Sequence, residues 1–502
     1  MRVLFSKKIV VFITLVVSSM PIISLSGMID GISYVKMFLA LVCLMPFIPF
    51  MLKKINESKV GNLFWTLKVS LLVTVLILLL LIQNDYRGVF GAPGRNNGAI
   101  SILLYLCFTV FGMYVYMKNS IGVVLHGLVL SSSVTFLISN LHLIYPNLNL
   151  FPSLDFNSTQ FRDNVDNLAP LASMAFTASL ILYLKSRKIL YLFLQIPAAY
   201  FVIKWQLLQP IISFMPCVVF IVFKVKYTHL RLRALTPLLI GAGYILAIKV
   251  LPFTPLASDS SLQERLKIIT YVKEIWTHFS LFPIHIDALS DFSTSFVVPN
   301  GYLDDFHNVY LQILFSFGLV IGVAIIGLIS APFLISPQQF DKTSSIFPVY
   351  LNFFIGLFFA IASPNFMYFG FILIGYFLGS ALSNRSGENQ SPKWKLGQSF
   401  VIYLSVLSVM SFQIHDFVKR IDISATTRAY SSEISEEKYF EKLVDKVSGL
   451  RDAEYKYQVA RNFYAIGNCA LGNIVLEQLV TINAREVRND QLVELKKLCE
   501  QK

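Results

Sequence analysis

Long, unbroken apolar runs constrain this chain more than any other feature. Thirteen can be marked, over roughly residues 9–27, 34–52, 63–82, 99–117, 121–144, 167–184, 189–203, 207–223, 235–253, 306–330, 346–363, 365–383 and 398–413. Several reach the ~20 residues a helix needs to cross ~30 Å of hydrocarbon. Lipid satisfies no backbone hydrogen bond, so only helices and closed barrels can span it. A barrel would show short alternating segments instead of solid runs. The expected fold is an all-α polytopic membrane protein with about 12–13 transmembrane helices. Composition agrees, with 55% of the 502 residues hydrophobic and 14% charged. Soluble domains carry ~25% charged residues, so a soluble enzyme, a secreted disulfide scaffold and a disordered chain are all excluded.

The charge is uneven. The 42 Lys+Arg and 29 Asp+Glu leave +13. Up to Gln413 the counts are 28 and 15, and from Ile414 onward 14 and 14, so the excess belongs to the membrane part. Its cations gather in short connections: Arg2, Lys7 and Lys8; Lys53, Lys54 and Lys59; Lys118; Lys185, Arg187 and Lys188; Lys224, Lys226, Arg231 and Arg233; Lys342; and Arg385, Lys393 and Lys395. All seven groups fall on one side if the amino terminus is cytoplasmic. That is the positive-inside bias rather than a nucleic-acid surface. The first run resembles a signal peptide, but its length and the absence of a small-residue cleavage pattern make it a retained helix.

The opposite face then carries the long loops: residues 83–98 with Arg87 and Arg95, 146–167 with Arg162, and 253–305, the longest. Functional groups concentrate in such loops, which places the expected site on the outer face. Residues 1–413 form a transmembrane domain and 414–502 an outer α-helical domain. In that tail, Tyr455–Val480 reads as a helix pair broken at Gly467, with a third helix over Asp490–Glu500. It resembles one tetratricopeptide-like unit. Of five cysteines, Cys43, Cys107 and Cys217 lie in apolar runs as packing residues. Cys469 and Cys499 lie in the tail and could pair in an oxidising compartment. No Cys/His cluster has the spacing of a structural zinc site.

The segment richest in chemistry is Asp304-Asp305-Phe306-His307-Asn308-Val309-Tyr310-Leu311-Gln312, where the longest outer loop enters the tenth run. So many polar groups at the mouth of a span are costly unless solvated or used. Gly318 and Gly322 follow and read as a small-xxx-small step for close helix contact.

His307-Asn308, nine intervening residues and then Gly318 resemble the His-(Asn/Ser/Gln)-x9-Gly signature of the O-antigen ligase and O-antigen polymerase superfamily, which includes bacterial O-linked protein oligosaccharyltransferases. The small or aromatic residue usual three places after that Gly is Ile321 here, with Gly322 next to it. Upstream, Arg265 followed by Trp276 resembles the family's Arg-x(n)-Trp segment in the large periplasmic loop. The resemblance implies a GT-C-like, metal-independent glycosyltransferase of the bacterial inner membrane, needing no cofactor. It would move a glycan from undecaprenyl diphosphate to an acceptor hydroxyl at the periplasmic face. Lipid A–core is the first expected acceptor, as for a ligase of lipopolysaccharide biosynthesis. A growing O-chain or a protein Ser/Thr is the alternative, the latter favoured by Leu311-Gln312 and the helical tail.

In that reading His307 takes the acceptor proton or orients the acceptor, since imidazole titrates near neutral pH. Arg265 clamps the leaving diphosphate bidentately. Asn308, Gln312 and Trp276 contact substrate, and Arg95 and Arg162 are further cations from other outer loops. The family often carries an Arg at the outer start of a middle span. Here the turn Lys204–Pro210 holds only Lys204, a point charge without the fork. Three other readings stand beside this one, the first a non-catalytic assembly factor in which the His307 motif is accidental. Asp304 and Asp305 could hold Mg²⁺ or Mn²⁺ beside His307. A polysaccharide flippase would show repeats with matching broken spans, and no such symmetry is visible.

Overall fold

The computed structural model describes residues 2–22, 33–57, 98–144, 165–205, 207–222, 306–360 and 362–383, with short pieces at 233, 235–242, 279, 281, 410–411, 414–415, 417–418, 460, 469–470 and 472–474. Among these residues there is no β-strand. The helices run α1 (Arg2–Ser19), α2 (Ser33–Leu44), α3 (Ile48–Glu57), α4 (Ala99–Met117), α5 (Ile121–Ile144), α6 (Val165–Ser186), α7 (Leu190–Phe193), α8 (Ile196–Lys204), α9 (Leu208–Val222), α10 (Val309–Ser330), α11 (Pro337–Thr343), α12 (Phe347–Gly356) and α13 (Pro364–Ser383).

Among the described residues, six apolar helical stretches have the length and composition of a membrane span: Val35–Ile55, Ala99–Met117, Ile121–Leu141, Leu168–Ser186, Val309–Leu334, which is broken at Gly318, and Pro364–Ser383. Burial is distributed as lipid demands. Large apolar side chains face outward, among them Leu15, Leu137, Leu190, Phe193 and Ile203, the last 75% exposed. Small polar side chains lie inside and bond to one another. Asn352 donates to the Ser173 carbonyl and the Thr177 hydroxyl (3.0 Å each) and accepts from the Ser173 hydroxyl (2.6 Å), tying α12 to α6. Such bonds hold helices together where lipid removes the hydrophobic drive. This architecture fits a multi-pass membrane protein.

The centre of the bundle is the pair α4 and α13. Tyr105 stacks on Phe371 at 4.6 Å and Phe108 on Tyr368 at 4.4 Å. Further along both helices, Tyr116 reaches the Ser383 hydroxyl at 3.3 Å. The two helices therefore run parallel. Glycines set their approach: a Cβ on Gly375 would collide with the Thr109 carbonyl, and one on Gly112 with that of Ile372.

Three apolar runs differ from continuous spans. The run 34–52 contains a 3-10 turn at Met45–Phe47, where Pro46 sits at the first turn. The run 189–203 divides into α7 and α8, with Pro197 opening the second. The third is the tenth run: Gly318 has φ 72° and ψ 166°, a conformation open essentially to Gly alone. The chain turns there, so residues 309–317 and 319–330 are separate helices. The first is about 13 Å long at ~1.5 Å per residue, too short to cross a bilayer. Gly322 accordingly packs against its own segment, where a Cβ would meet the Leu314 Cα at 2.9 Å. The small-xxx-small reading is thus replaced by a broken helix folded on itself. The runs 63–82 and 398–409, and most of 235–253, lie outside the described residues, as does the three-helix reading of the tail.

Candidate functional site

Contacts sort the helix termini into two ends. At one end the Val309 amide donates to the Leu357 carbonyl (2.9 Å), just after α12. A Cβ on Gly356 would meet the Gln209 amide nitrogen of α9 at 3.3 Å and Pro170 of α6 at 3.7 Å. Lys36 of α2 donates to the Asn365 side chain of α13 (2.9 Å). At the other end lie Tyr116 with Ser383, and Arg233 with the Ile335 carbonyl (2.7 Å). The starts of α2, α6, α9, α10 and α13 therefore share one end with His307. Lys118, Arg233 and Lys342 belong with the other.

At the first end the His307 turn is built by its neighbours. His307 has φ 48°, the left-handed region that non-glycine residues seldom occupy, and is half-buried. Asn308 directly follows in extended conformation (φ −147°) as the N-cap of α10. Its side-chain oxygen accepts from the Tyr310 and Leu311 amides at 3.1 and 3.2 Å. Asn is among the best residues for that task. Gln312 binds on the other side: its oxygen accepts from the Phe306 amide (3.4 Å) and its nitrogen donates to the Ser316 hydroxyl (3.2 Å). Asn308 and Gln312 are each only 3% exposed. Both were expected to contact substrate; both are engaged in holding the turn that presents His307.

The broken helix has outside support. Phe279 packs on Phe306 (6.4 Å between centroids) and Phe315 (5.4 Å), and Phe306 on Phe315 (5.6 Å). The Val320 amide, two residues past the break, donates to the Leu281 carbonyl (3.1 Å). Residues 279 and 281, from the middle of the long loop, are thereby docked on both sides of the break. A cavity of about 20 Å³, room for roughly one water, lies alongside. Gln312, Ser316, Val309 and Tyr105 are among its lining residues.

Lys204 is exposed at the end of α8, its ammonium 5.9 Å above the Tyr200 ring one turn earlier. It does not line the cavity. Arg265, Trp276, Arg95, Arg162, Asp304 and Asp305 lie outside the described residues. Among the described residues no group of three or more His, Cys, Asp or Glu is placed to hold a metal ion. Two polar groups of this end escaped the sequence reading. Lys36 is 4% exposed, and its signal was a lone Lys inside an apolar run. Gln209 is 5% exposed with both amide atoms lacking a hydrogen-bond partner, and its signal was a polar residue at the mouth of a span. In the tail Cys469 is disulfide-bonded, whereas Cys43, Cys107 and Cys217 carry free thiols. Cys499 lies outside the described residues. Compared with known proteins, the chain matches no family model and no curated protein.

Proposed function

We propose that this protein is a membrane glycosyltransferase that passes a glycan from undecaprenyl diphosphate to an acceptor hydroxyl at the periplasmic face of a bacterial inner membrane. The observation that carries the reading is the presentation of His307: a half-buried imidazole on a left-handed turn, fixed by Asn308 and Gln312. His307 accepts the proton of the attacking hydroxyl as the oxygen bonds to the sugar's anomeric carbon and the bond to the diphosphate breaks. Arg265, by the resemblance of its segment, meets the charge gathering on the departing diphosphate. The positive-inside pattern supports an outer position for the His307 end. A disulfide at Cys469 agrees with an oxidising compartment for the tail.

The test is His307→Ala in cells, with membrane insertion checked by blotting, read by lipopolysaccharide banding beside glycoprotein staining. Loss of the whole ladder with intact core identifies lipid A–core as acceptor. A single-repeat band identifies the growing chain. An intact ladder with lost glycoprotein identifies a protein Ser/Thr, the acceptor that the helical tail favours. Unchanged products in all three refute the enzyme.

A further inference from the structure

Lys36 sits in the first turn of α2 with 4% of its surface exposed. Its ammonium has three donors, of which the Asn365 oxygen takes one at 2.9 Å. Asn365 is neutral, 7% exposed, and held in turn by its backbone amide on the Ser363 hydroxyl (3.3 Å). No carboxylate among the described residues pairs with Lys36. A buried amine keeps its charge only beside an anion, so an anionic group bound here would complete the arrangement.

Its surroundings point to what completes it. Lys36 lies in the first turn of α2, and Asn365 in the first turn of α13. The next residue of α2, Met37, accepts from the Ser101 hydroxyl in the first turn of α4 (3.7 Å). Helix amino termini carry partial positive charge and free amides; Lys36 reaches that of α13 through Asn365, and its neighbour Met37 touches that of α4 through Ser101. Met367, two residues past Asn365, and Ile102, next to Ser101, line the cavity that Gln312 and Ser316 share, so the helix ends that hold Lys36 and Met37 also border the support of His307.

We propose that Lys36, oriented by Asn365, is a binding residue for a phosphate oxygen of the lipid-linked donor. This rests on the glycan-transfer reading above. It supplies from α2 a buried cation, where the turn before α9 offers only the exposed Lys204, which does not line the cavity.

The probe is farnesyl diphosphate, titrated against the full-length protein purified in detergent, with inorganic pyrophosphate and phosphatidylglycerol as separate arms. Lys36→Met keeps the stem and removes the charge; Asn365→Asp keeps Lys36 in place but gives it an internal anion. Both variants are expected to weaken farnesyl diphosphate binding by about tenfold or more, the scale of a lost charge-assisted hydrogen bond. Lys118→Met, at the opposite end, leaves it unchanged. If Lys36→Met does not fold, Asn365→Asp carries the comparison. Wild-type affinity in both variants overturns the assignment and leaves the role of His307 standing. Phosphatidylglycerol bound with the same dependence on Lys36 also overturns it, by naming a bulk lipid headgroup as the anion. A wild-type protein that transfers glycan in cells without binding the probe overturns this assignment alone. One that does neither overturns the function on which it rests.

Discussion

At the scale of single residues, Asn308 and Gln312 have a structural task. Both carry side chains that a substrate could use, and both bind the backbone around His307, Gln312 also donating to the Ser316 hydroxyl. Asn308→Ala therefore removes a cap worth ~1 kcal/mol and lowers transfer by loosening the turn. Asn308→Ser restores both, because a hydroxyl caps equally well. Thermal unfolding in detergent, read beside transfer, checks the pairing; loss of transfer in Asn308→Ser at wild-type stability would favour direct substrate contact. Lys36 was half legible. A charged residue inside an apolar run is a functional signal in lipid, but nothing local announces that a partner 329 residues away holds it.

At the scale of elements, the apolar runs were legible because lipid fixes the length and polarity of a span. Breaks inside them were not. From Ile313 to Ile329 the run is apolar but for Ser316, and hydropathy cannot distinguish one helix from two. Gly318 was singled out by its spacing from His307, while its physical role, a backbone at φ 72°, emerges only in three dimensions. Gly318→Ala should destabilise the fold by about 1–3 kcal/mol and detach the His307 segment from α12, lowering the thermal midpoint and transfer together. Wild-type stability in that variant would mean that the break is dispensable. Gly375→Ala tests a different constraint. Its methyl meets the Thr109 carbonyl of α4, so the cost, about 1–3 kcal/mol for overpacking, falls on the α4–α13 contact.

At the scale of the whole molecule, two independent patterns agree on which helix ends lie together. The Lys/Arg groups assign one side of the membrane to Lys118, Lys188 and Lys342. The contacts gather the His307 turn, Lys36 and Gln209 at one terminus of the bundle. A membrane-impermeant maleimide applied to spheroplasts should label Lys204→Cys and spare Lys188→Cys, both exposed positions bracketing α7 and α8; the reverse labelling would put the site on the cytoplasmic face. The central claim is that His307 handles the acceptor proton in glycan transfer from a polyprenyl diphosphate. Its most direct measure is the transfer rate of purified His307→Ala in proteoliposomes supplied with an undecaprenyl-diphosphate glycan and acceptor. The expected loss is ~100-fold or more, the range of general-base catalysis. A rate within about twofold of wild type, in correctly inserted protein, would contradict it.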